Sequence, residues 1–163
     1  MPFARLAAPL ASVGAGIWAG ILLCIGAIAA PAAFAVLAPA DAGQVVARMF
    51  AQEAYLSLAL AIVLFIIERQ HSRSAAAAGI GSVFSANLVL LLGTLFCTVA
   101  GYFAVQPMMA AARAGQGTVS FMTLHAVSTG LFALKGLLVL VLAWRFAAAL
   151  RARPVATTAA TIS

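Results

Sequence analysis

This chain of 163 residues is 66% hydrophobic and carries nine Lys and Arg against three Asp and Glu. That is 7% charged residues where a soluble globular domain carries roughly 25%; so few charges cannot cover a water-facing surface, which excludes a soluble enzyme and a disordered chain. The net charge of +6 and the pI near 10.8 come from scattered arginines, with no basic patch interleaved with aromatics, so the expected partner is a lipid bilayer and not a nucleic acid.

The uncharged stretches 6–40, 54–67, 74–112, 114–134 and 136–144 mark the membrane segments. A helix needs about 20 mainly apolar residues to cross roughly 30 Å of hydrocarbon. The first span is expected at 12–34. A signal peptide is the competing reading there, since Arg5 precedes an apolar run with Ala-x-Ala sites. The run, however, outlasts the roughly 7–15 residues of a signal core and continues through Pro31 and Phe34. The stretch 54–67 is too short alone, so the second span is expected at 45–67, followed by a flexible or interfacial connection over Ser72–Ser82. The third span falls at 84–106 and leads into a polar turn, Arg113–Gly117. The fourth runs across Lys135 over 121–144. Short connections make neighbours antiparallel, and the expected fold is an all-α, up-down bundle of four transmembrane helices. It forms one membrane domain over 1–150, with a disordered tail over 151–163.

Arginine asymmetry orients the bundle. Arg5, Arg69, Arg73, Arg145, Arg151 and Arg153 fall on one side, and Arg48 and Arg113 on the other. Both termini are therefore expected in the cytoplasm, with Trp144 as an interfacial anchor. Eight arginines to one lysine in an alanine-rich chain suggest a GC-rich bacterial genome, and the expected location is the bacterial inner membrane.

Small residues recur every fourth position at Ser12, Gly16, Gly20 and Cys24, and again at Gly93, Cys97 and Gly101. Such stripes let helix backbones approach closely. Packing within the bundle is the first reading, and a homo-oligomer seam through Gly16 and Gly20 the second. Without a Cys-x-x-Cys pair, the cysteines read as buried thiols filling small gaps.

Ionisable groups inside hydrocarbon are expensive and mark candidate sites. Glu53 lies five residues past Arg48, roughly 7 Å deeper at 1.5 Å per residue. His125, Ser128, Phe132 and Lys135 fall within about an 80° arc at 100° per residue, one polar stripe on the fourth helix. Two readings of Lys135 stand open: snorkelling to the headgroups along its alkyl stem, or membership of that stripe. Likewise Glu53 reads as a tie to Arg48, Arg113 or His125, or as part of a site. No catalytic triad, carboxylate pair, His-Glu-x-x-His or phosphate loop occurs, so no enzymatic activity is expected.

Met49, Met108, Met109 and Met122 all fall near the expected outer surface, with His125 one turn below Met122. Thioether and imidazole ligands suit a soft ion such as Cu(I), and gap-filling is the other reading of the methionines. Haem is disfavoured because His71 and His125 lie on opposite sides of the membrane.

Trp18 and Gly20, Pro31-Ala-Ala-Phe34, Ala42-Gly43 leading to Phe50 and Tyr55, Cys97, Gln106-Pro107-Met108-Met109 and Phe121-x-x-Leu124-His125-x-x-Ser128 carry a resemblance. Over Gly14 to Trp144 the chain resembles the bacterial domain-of-unknown-function 4149 family. It is similar also to transmembrane protein 205, and more loosely to copper-resistance-D-like bundles. The resemblance implies a four-helix fold and the handling of a metal or small solute, without a settled mechanism. The leading functional expectation is therefore a small inner-membrane protein that handles a small solute or soft metal ion. Glu53, Gln106, His125, Ser128 and Lys135 would form its polar site. The alternative is a non-catalytic accessory or scaffold subunit of a larger membrane complex, in contact through Gly16 and Gly20.

Overall fold

The computed structural model describes residues 3–79 and 82–152. Among them there is no strand, and four helical spans are long and apolar enough to cross a membrane. The first span comprises α1 (Phe3–Cys24), a π-helical segment (Ile25–Ala29) and α2 (Ala30–Val36). The second is α3 (Pro39–Ala77). The third comprises α4 (Ala86–Thr98), a second π-helical segment (Val99–Val105) and α5 (Gln106–Arg113). The fourth is α6 (Phe121–Arg151).

The helices outrun the apolar stretches that announced them, because their flanks are rich in alanine, the strongest helix former. Two expectations change as a result. The first connection shrinks to Leu37 and Ala38, since Pro39 opens α3 at a position where its missing N–H goes unneeded. Asp41 in that first turn complements the helix dipole. Ser72–Ser82 is no flexible connection either. Helix continues to Ala77 and stops where Gly79 adopts φ 74°, a left-handed conformation open to glycine. Ile80 and Gly81 lie outside the described residues, as do 153–163 of the expected tail; its first residue, Arg151, is instead the end of α6. The turn after Arg113 is as expected. Ser85 and Ser120 start the third and fourth spans by accepting the backbone N–H of Leu88 (3.3 Å) and Thr123 (3.2 Å).

Both π segments precede a proline at the second residue of the next helix, Pro31 and Pro107. A proline ring collides with the carbonyl four residues back, and the wider π turn relieves that collision without ending the helix.

The spans pack as a square. α1 packs its backbone against α3 and α6, and α4 against α3 and α6, while among the described residues the backbones of α1 and α4 do not approach each other, nor do those of α3 and α6. Antiparallel packing shows at the glycines. A Cβ on Gly93 would meet Leu138 at 3.0 Å, and one on Gly101 would meet Leu131 at 3.7 Å. The connections 37–38 and 114–120 therefore share one end, the loop end. The start of α1, the end of α6 and the connection from α3 to α4 share the other, the terminal end. Between the ends lies an apolar core of Trp18, Leu22, Leu64, Leu91, Val139 and Leu142.

The two small-residue stripes behave differently. Gly93, Cys97 and Gly101 turn into the bundle, with Cys97 buried. Gly16 and Gly20 face outward with nothing within 4 Å of an added Cβ, and Cys24 is exposed. Packing within the bundle is thus corrected for the first stripe, and a buried thiol is corrected for Cys24. The cause is volume: Trp18 and Leu22, with Ala11, Ala15 and Ala19, occupy the inner face of α1.

Candidate functional site

At the centre of the bundle α3 and α6, opposite each other, are joined by an ion pair. Lys135 Nζ donates to Glu53 Oε1 at 2.8 Å and to Oε2 at 2.7 Å. Glu53 is 3% exposed and Lys135 4%, so neither charge is left to water. Ser57, one turn along α3, donates its hydroxyl to Glu53 Oε1, and Trp18 Nε1 donates to Ser57 Oγ at 2.8 Å. The chain Trp18–Ser57–Glu53–Lys135 thus links three spans. Lys135 Nζ also lies 5.2 Å from the centre of the Phe132 ring. Among the described residues no buried side-chain nitrogen or oxygen lacks a partner.

This removes one of the two readings of each residue. Lys135 does not snorkel, because an opposite charge lies within reach across the bundle axis. Glu53 does not tie to Arg48, Arg113 or His125. Arg48 and Arg113 are exposed, and His125 sits ten residues from Lys135, about 15 Å along the helix.

A cavity of about 40 Å³ adjoins the pair, lined by Glu53, Thr98, Gln106, Ser128 and Lys135 among others. At about 10–15 Å³ per water it has room for a few. Toward the loop end opens a vestibule of about 380 Å³ lined by all four spans, with Gln106, Arg113, His125, Ser128 and Thr129 as its polar groups. Phe50, Gln106, Ser128 and Phe132 line both spaces. Phe50 and Phe132 meet edge to face at 4.9 Å, forming an aromatic partition between vestibule and ion pair. The stripe His125–Ser128–Phe132–Lys135 therefore runs from the vestibule wall, through the partition, to the ion pair behind it, and Gln106 completes it from the third span.

The methionines do not gather there. Met109 is buried against Val105 and Leu124 and lines the vestibule. Met108 and Met122 are exposed, and Met49 is not part of the vestibule wall. The reason is helical phase: Met108 and Met109 are adjacent on α5, about 100° apart, so only one can face inward. Among the described residues no three His, Cys, Asp or Glu side chains cluster as a metal site.

Sequence reasoning passed over Glu68. It is buried near the terminal end, accepting from Ser85 Oγ (2.6 Å) and Asn87 Nδ2 (3.2 Å); Asn87 Oδ1 in turn accepts from Arg145 Nε (2.6 Å). A second space of about 390 Å³ opens beside it, lined also by His71 and Phe146. A signal existed, since Ser57, Ala61, Leu64 and Glu68 follow the 3–4 spacing of one buried face. Trp18 was visible in the same way, on the face of Ala11, Ala15 and Leu22.

The chain matches the family model described as domain of unknown function (DUF4149) over residues 13–118 and belongs to that family. The match ends before Phe121, so the expected reach to Trp144 is shortened, and His125, Ser128 and Lys135 lie beyond it. No curated protein and no solved structure matches the chain.

Breaking the ion pair strands a charge, whereas removing both partners does not. Lys135→Met or Glu53→Gln alone should cost about 3–5 kcal/mol, read as a large fall in the thermal unfolding midpoint of the detergent-solubilised protein by circular dichroism. The double variant Glu53→Leu/Lys135→Met should recover most of that loss.

Proposed function

We propose that this DUF4149 member binds a small solute in the loop-end vestibule, over the Glu53–Lys135 pair, and acts by holding or passing that solute rather than by catalysis. The observation that carries the reading is the buried ion pair beneath the vestibule, behind the Phe50–Phe132 partition and beside a cavity whose Gln106 and Ser128 also line the vestibule. A bundle that needed only packing gains little from such a pair, since apolar residues of equal volume hold helices at least as well. Gln106, His125 and Ser128 supply hydrogen-bonding groups along the way in, and apolar walls supply area, the usual composition of a solute pocket. A solute is favoured over a soft metal ion because Met109 and His125 are the only vestibule residues from the proposed sulfur and imidazole set.

The test is a thermal-shift series on purified protein with small anionic, cationic and neutral solutes. At least one should raise the unfolding midpoint by about 5 °C at about 100 times its Kd, and Ala47→Trp or Thr129→Trp, which fill the vestibule, should abolish the rise. No stabilisation by any solute, or a rise that survives both tryptophans, would overturn the reading.

The bilayer we assign is the bacterial inner membrane, with both termini cytoplasmic. Arg69, Arg73, Arg145 and Arg151 at the terminal end, against Arg48 and Arg113 at the loop end, support this orientation. In a variant with Cys24 and Cys97 replaced by Ala, an impermeant thiol reagent added outside cells should label Gln116→Cys and not Ser82→Cys. The reverse pattern would invert the protein.

A second reading, association as a subunit, is favoured by the outward Gly16–Gly20–Cys24 face. Helices of two copies meeting there would bring the two Cys24 thiols together, while Cys97 stays inaccessible. Mild oxidation in native membranes should then yield a covalent dimer that Gly20→Leu prevents; monomer alone would count against it.

A further inference from the structure

We infer that the vestibule solute is a small organic monocarboxylate, its charge held by Arg113 and its apolar body by the vestibule walls. This rests on the vestibule being a solute site, and it adds the sign of the charge and the shape of the molecule. The first argument is a full account of negative charge. The chain has three acidic residues. Glu53 is spent on Lys135. Glu68 lies near the opposite end, bonded to Ser85 and Asn87. Asp41 is exposed in the first turn of α3 and is no part of the vestibule wall. Among the described residues no side-chain carboxylate therefore faces the vestibule, while the one permanent cation that does, Arg113, has no carboxylate partner there. A cation and an ammonium compound are both repelled, and an anion is drawn in.

The second argument is the way Arg113 is held. Its guanidinium carbon lies 4.5 Å from the centre of the Phe121 ring, and the same ring stacks on His125 at 5.8 Å with planes 16° apart. A cation–π contact needs none of the guanidinium's N–H donors, so it does not use up their edge. That edge matches the two oxygens of a carboxylate. His125, stacked on the same ring, is a further polar group of the vestibule wall.

The third argument is the wall. Pro31, Phe34, Val46 and Phe132 form much of the surface, which suits an apolar body and not a fully hydrated inorganic ion. One permanent cation matches one negative charge, because Lys135 below is already neutralised. A volume of about 380 Å³ admits a small organic acid.

The test uses the full chain in nanodiscs of zwitterionic phosphatidylcholine and three probes of equal size: benzoate, benzamide and benzylamine, measured by equilibrium dialysis. Benzoate should bind saturably, about tenfold or more tighter than benzamide, with benzylamine weakest. Arg113→Gln should erase the preference for benzoate while leaving the unfolding midpoint nearly unchanged, because Arg113 is exposed. Arg113→Lys, which keeps the charge without the planar fork, should fall between. If benzamide or benzylamine binds as well as benzoate, and the vestibule tryptophans still block it, the vestibule remains a solute site and the carboxylate inference is overturned. If benzoate binding is lost when phosphatidylglycerol replaces part of the lipid, the anion seat belongs to a lipid headgroup, and the inference is overturned in that form. If no probe binds, the inference falls, and the wider thermal-shift series decides the fate of the vestibule itself.

Discussion

A lysine at mid-membrane dictates much of what surrounds it. Hydrocarbon offers neither water nor counter-ion, so Lys135 requires a carboxylate, and that carboxylate requires its own donors. Glu53 meets the first demand and Ser57 the second, and Trp18 closes the set by donating to Ser57. Because Glu53 and Lys135 lie on opposite spans, their bond runs through the bundle axis and fixes the rotation and height of α3 against α6, which share no direct backbone contact. The polar chain separates two differently built halves: an apolar core toward the terminal end, and a vestibule toward the loop end.

The other diagonal is built on a different principle. The first and third spans each carry a π segment followed by a proline, in the half of the helix that borders the vestibule. The two halves of the chain thus repeat a plan: a jointed helix followed by a continuous one, related by a rough two-fold axis along the bundle. A two-helix repeat is only faint in the residues themselves, because what repeats is backbone geometry while the polar side chains do not. Glu53 and Lys135 break the symmetry by charge.

The four spans were legible because twelve charges in 163 residues leave uncharged gaps of the right length. Their ends were not, since alanine prolongs a helix as readily in headgroups as in hydrocarbon, as Ala75 to Ala77 do. The stripe His125–Ser128–Lys135 was legible from helical phase alone. Its partner was not, because phase says which residues share a face and nothing about which helix stands diagonally opposite. Gly16 and Gly20 make the same point: their spacing defines a face, but the bulk of Trp18 decides that it points outward. Glu68 was passed over, although its place on the Ser57–Leu64 face marked it as buried.

The separation of 82 residues between Glu53 and Lys135 also bears on how the protein is made. Translation delivers the second span long before the fourth, so Glu53 enters the bilayer ahead of its counter-ion. In the interval it has Ser57, Trp18 behind it, and whatever water follows it inward. Arrival of α6 supplies the missing charge and closes the square in one event, since α6 also contacts both α1 and α4. Assembly is therefore weighted toward its final step: a chain halted after the third span carries an acid in lipid without its base, a fault that quality control in the membrane can read.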